Sequence, residues 1–177
     1  MFEITKESLE NIFPPFQLGD NRSLLECDFY NTHYCYFDQI DDDYLSAIDM
    51  SAEGLLLEWG FDWSKFYLQA GLDAARSRTR PLESIKTWKD VSYKYLYYFG
   101  NSCSFLSSGG YKFFFPSAVY HFLTTDKNKT YMDSFIFRLK LQWEKDNHVF
   151  NDAQKEFIVE FVKKHYQGYV SWIPNDK

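Results

Sequence analysis

Hydrophobic residues recur every three or four positions along most of this chain, the spacing of helices that each bury one stripe. Thr5 can cap a short helix that uses Leu9, Ile12 and Phe13 and is stopped by Pro14-Pro15. Asp41 to Asp43 suits the first turn of a longer helix, where the dipole favours negative charge; Leu45, Ile48, Ala52, Leu55, Leu56 and Trp59 form its stripe. Gly60 breaks that run. Asp62 caps a further helix to about Arg78, with Trp63, Phe66, Tyr67, Ala70 and Ala74 inward and Arg76, Arg78 and Arg80 matching its negative end. Thr87 with Asp90 is a capping pattern for a helix carrying Val91, Tyr95, Tyr98 and Phe99, which Gly100-Asn101 ends. Asn151 with Gln154 opens the last one, with Phe157, Ile158, Phe161 and Val162 inward, ending near His165.

The densest apolar run is Cys103 to Leu123. Ser107 and Ser108 are good N-cap residues, and Tyr111, Phe114, Phe115, Ala118, Val119 and Phe122 follow at helical spacing. The expected core is Tyr111, Phe114, Phe115, Ala118 and Phe122. Adjacent helical positions diverge by about 100°, so one of Phe114 and Phe115 can sit at the edge. Pro116 lacks an N–H and restricts Phe115, which predicts a kink or a restart there. The eleven residues Phe113–Leu123 are too few to span a bilayer.

Two stretches resist this reading. Phe29 to Phe37 is aromatic without a clean period, so 24–40 stays unassigned. In Ser134–Trp143, Phe135, Phe137, Leu139, Leu141 and Trp143 alternate as a strand would, while Phe135, Leu139 and Trp143 also fit a helix. The expectation for the whole chain is a mainly α fold, a compact single-domain multi-helix bundle over 1–177 with at most a minor β element.

A resemblance enters through the second half of the chain. Trp88-Lys89-Asp90-Val91, Phe105-Leu106-Ser107 and Gly110-Tyr111-Lys112-Phe113-Phe114-Phe115-Pro116-Ser117 resemble the signature of an uncharacterised family of small bacterial proteins. Phe150-Asn151-Asp152-Ala153-Gln154-Lys155 fits the same pattern, so the family-like core spans 87–166. The departures are Ser117, where Ala is usual, and Gly109, where an acid often stands. The resemblance implies a helical fold, tips the start of 134–143 toward helix, and implies a bacterial or phage origin. It implies no activity.

Composition sharpens the class. With 177 residues, 45% hydrophobic and 21% aromatic, the chain can bury a real core without staples. Three cysteines and an N-terminus without a basic-then-apolar signal point to reduced thiols and a cytoplasmic protein. The net charge of −6 disfavours direct binding to a nucleic-acid backbone. That charge is unevenly spread. Residues 23–64 hold ten acids and no Lys or Arg, whereas 65–177 hold 17 basic and 11 acidic residues.

No motif supplies chemistry. Cys27, His33 and Cys35 are the best metal constellation, but the cysteines are eight apart with no fourth ligand, so no metal or cofactor is expected. Ser107-Ser108-Gly109-Gly110 is neither a hydrolase elbow nor a phosphate loop, though Gly109-Gly110 before a helix is a weak anion-site signal. The four histidines are dispersed, and no catalytic residue is assigned. The expected function is therefore non-enzymatic: a cytoplasmic immunity- or antitoxin-type protein that binds a basic, nuclease-like toxin through an acidic face. Its partner-binding residues would be Asp38, Asp41, Asp42, Asp43, Asp49, Glu53 and Tyr44. The alternative is an enzyme or small-ligand binder with a site beside the 108–123 helix, lined by Lys112, His121 or the arginines.

Overall fold

The computed structural model describes residues 3–33 and 85–172, and within them the protein is all-α. Six α-helices are described: α1 (Lys6–Ile12), α2 (Leu24–His33), α3 (Tyr93–Phe99), α4 (Ser108–Thr124), α5 (Thr130–Asp146) and α6 (Asp152–His165). Short 3-10 turns join them at Trp88–Asp90, Gly100–Phe105, Asn147–Val149 and Gln167–Trp172. The β content described is a single isolated bridge, Gln17 to Thr87. The helices expected over 41–59 and 62–78 lie outside the described residues.

Local chemistry sets the boundaries. Thr5 and Ser8 form a reciprocal capping box at α1, as Asn151 and Gln154 do at α6. The Thr87–Asp90 box is also formed, but it caps the 3-10 turn Trp88–Asp90, and Ser92 caps α3 instead. The reason is local: Val91 and Ser92 are extended, and Ser92 accepts from the Tyr95 N–H at 3.1 Å. Those backbone bonds to Thr87 hold the Asp90 carboxyl below the usual carboxylate range. Pro116 neither ends nor restarts α4, which runs continuously from Ser108 to Thr124. The lost backbone bond is tolerated because α4 is enclosed by packing for most of its length.

That enclosure defines the core. Phe113, Phe114, Phe115, Ala118 and Val119 are fully buried, so no side of this part of α4 reaches water. Neither Phe114 nor Phe115 sits at an edge. Phe16 packs edge-on against Phe113, Tyr95 of α3 stacks on Phe114 at 6.0 Å, and Phe115 meets Phe13, which follows α1, and Phe161 of α6. Tyr111 lies against Phe135 of α5 and donates to its carbonyl at 2.9 Å. Phe122 is only partly buried and ends the row. Each fully buried aromatic contributes about 1.5–3 kcal/mol by leaving water, so α4 is the organising element.

The 134–143 segment is helix throughout α5, with Gln142 alone off helical dihedrals at φ −129°, ψ 15°. Phe135, Leu139 and Trp143 face the core, whereas Phe137 and Leu141 are exposed. The strand-like alternation arose because two hydrophobic stripes lie on different faces of one helix.

Candidate functional site

The best-built polar cluster in the described residues sits where α4, α5 and the Gly100–Phe105 turn meet. Arg138 projects inward from α5 and is 1% exposed. Its Nε donates to Asp146 Oδ2 at 2.9 Å, and Nη2 stands equally close to that oxygen without the alignment of a hydrogen bond. Nη1 donates to the carbonyls of Cys103, Ser104 and Leu106 at 2.7, 3.1 and 2.8 Å. The guanidinium also lies 4.8 Å from the centre of the Tyr111 ring. Ser108, the first residue of α4, donates its hydroxyl to the other Asp146 oxygen at 2.7 Å.

The chemistry of this cluster is internal. Both side chains of the ion pair have no exposed surface, so neither charge is presented to a ligand. The arrangement gathers three carbonyls of the 3-10 turn and its end, that of Cys103 also accepting from the Leu106 N–H, and neutralises the guanidinium that bonds them. It also bears on the anion site expected at Gly109-Gly110. A Cβ at Gly109 would lie 2.6 Å from Asn21 Oδ1, and Asp146 already brings a carboxylate beside the first turn of α4. That helix start is filled by the protein's own groups.

Other reactive side chains are likewise engaged. Lys112 donates to the Val149 carbonyl, and His121 Nε2 lies 2.7 Å from the Val91 oxygen, which fixes the proton on that nitrogen. Burial lowers the His121 pKa. Cys27 and Cys103 are fully buried free thiols, each pushed up to about 12 by burial. Among the described residues no group of three His, Cys, Asp or Glu side chains could hold a metal ion.

An exposed apolar surface is the remaining feature. Tyr97, Phe105, Phe137 and Leu141 are 44%, 40%, 52% and 63% exposed. Ser134 donates to Asn101 at 2.8 Å, joining the turn after α3 to α5. Tyr97 lies one turn before Asn101, while Phe137 and Leu141 lie one and two turns after Ser134 on the same face. Arg138 ties the backbone on both sides of Phe105 to that flank of α5.

The expected partner-binding residues Asp38, Asp41, Asp42, Asp43, Asp49, Glu53 and Tyr44 lie outside the described residues. Two other acids of the 23–64 stretch are described, and both have structural partners. Glu26 is buried and accepts from the Ser23 N–H at 2.6 Å, and Asp28 accepts from Ser102 at 2.6 Å. Arg138, Asp146 and the exposed pair on α5 went unrecognised in the sequence. The available signal for Arg138 was its position: with Tyr131 and Phe135 it follows the inward i, i+4, i+7 row of α5. None of the described helices is long and apolar enough to cross a membrane. Comparison with family models, characterised proteins and solved structures finds no match to this chain.

Proposed function

We propose that this is a non-enzymatic protein-binding protein of the immunity or antitoxin type, neutralising a basic, nuclease-like toxin through an acidic face. The observation that carries this reading is the run from Ser23 to Ser64, with ten acids and no base. Glu26 and Asp28 have structural partners, and the other eight run from Asp38 to Asp62. Such a concentration of one sign steers an oppositely charged partner and speeds encounter. The exposed aromatic and aliphatic side chains on α3 and α5 add support, because apolar surface of this kind suits a protein partner. A site beside α4 is less favoured, since Lys112, His121 and Arg138 already bond backbone carbonyls.

The test starts with the wild-type chain as bait in a lysate of its source cells. Association of the captured partner is then followed by stopped flow against wild type and the Asp42→Lys, Asp49→Lys double variant. The fold should be unchanged, because exposed charges contribute little to stability. At low salt the variant should associate at least tenfold more slowly, with a flatter salt dependence. Equal on-rates at low and high salt would remove the acidic face from the mechanism.

A further inference from the structure

One half-buried titratable group remains unused by the fold or by the proposed function. His165 closes α6, with its ring 5.1 Å from Phe161 and 5.1 Å from Phe122 of α4. Its Nε2 is buried and has no hydrogen-bond partner. Directly after it, Tyr166 packs on Phe122 and Phe161 at 6.0 and 6.2 Å, and Tyr169 packs on Tyr166. This corner seats the 3-10 segment Gln167–Trp172 against α6.

The two charges that act most directly on the ring, Lys164 and Lys129, are both positive. From the loop before α5, Lys129 places its ammonium 4.7 Å over the Phe122 ring. On α6, Lys164 is the neighbouring residue, and Lys163 is paired with Glu160 at 2.9 Å. From α5, Lys140 lies over the Tyr169 ring, and Asp133 reaches the corner but hydrogen-bonds Tyr166. α4 contributes the Phe122 ring to the contact with the imidazole. The negative end of the α6 dipole favours a cation here, but the two lysines and the missing acceptor at Nε2 oppose it.

We propose that His165 is an acid-sensitive latch: neutral, it closes the corner that holds Gln167–Trp172, and on protonation it releases that segment. A charged imidazole needs acceptors for both nitrogens, and the buried Nε2 has none, so the cation gains by swinging into water. Tyr166 is its chain neighbour and loses its seat with it. Desolvation is the main cause lowering the His165 pKa from 6.5, followed by Lys164 and Lys129. The sign follows from linkage. The released state binds the proton more tightly, so closure is complete above about 6.5 and weakens as pH falls below it.

Hydrogen–deuterium exchange of residues 166–172, corrected for intrinsic rates, tests this on the intact chain at neutral and mildly acidic pH. Protection should fall several-fold at the acidic value, within the limit of about tenfold per pH unit for one proton. The loss should set in near 6.5 and level off where the His165 Hε1 resonance of the closed chain titrates. His165→Phe keeps a ring without a proton site and should hold its protection at both values; His165→Gln serves if that variant does not fold. Unchanged wild-type protection, or an equal loss in the non-titrating variant, would overturn the latch.

Discussion

Arg138 shows how one side chain can fix the relation of three elements. Its partners come from residues 103 to 106 and from Asp146, so its role is set by tertiary contact and not by its neighbours in sequence. Arg138→Ala would leave the buried Asp146 charge without its cation, with the Ser108 hydroxyl as a remaining donor, and would take the guanidinium from three carbonyls. The expected cost is about 3–5 kcal/mol, read as a lower denaturation midpoint. Arg138→Lys should also be poor, because one ammonium cannot span a carboxylate and three carbonyls in the same plane. Replacing both charges, Arg138→Met with Asp146→Leu, should cost markedly less than Arg138→Ala. A double variant as unstable as the single one would show that the carbonyl bonds, and not the ion pair, dominate. This cluster was hard to read from sequence because an arginine between Phe137 and Leu139 looks like the solvated face of a helix. The acidic candidates were easy to find, since a long stretch without a basic residue is visible at once. Charge alone, however, does not tell which acids are spent on caps, as Glu26 is at the start of α2.

At the scale of elements, the legible parts were those whose cause is local. Capping pairs act over three residues, so Thr5, Ser107 and Asn151 marked their helix starts correctly. Non-local causes were missed. Pro116 reads as a break, yet packing on every side of α4 outweighs one lost backbone bond. Gly100 reads as a helix stop and does end α3, with ordinary helical dihedrals of −60° and −29°. What it supplies is room: a Cβ there would lie 2.7 Å from the Cβ of Tyr131, where the turn after α3 crosses α5. Gly100→Ala should therefore destabilise by about 1–3 kcal/mol through overpacking, although alanine favours helix. An unchanged or raised melting temperature would mean that α5 can step aside without loss.

For the molecule as a whole, the buried thiols report on opening. Cys27 and Cys103 stand on α2 and on the turn it packs against, and both are protonated at neutral pH. In a Cys35→Ser background, native protein should leave a thiol reagent unreacted while denatured protein titrates two thiols per chain. Prompt labelling of the native form would show that α2 opens separately from the rest. A last consequence follows from the partners of α1. Phe13 touches Phe115, Phe150 and Phe157, and Gln154 donates to the Ile12 carbonyl at 3.1 Å. An isolated helix of seven residues is not stable in water. During synthesis α1 leaves the ribosome before the side chains that hold it: Trp88, which donates to the Phe13 carbonyl, follows 75 residues after Phe13, and Phe115, Phe150 and Phe157 follow more than a hundred residues after it. Folding of α1 thus waits on α4 and α6, and a ribosome stalled before Phe150 would carry α1 unformed and open to proteolysis.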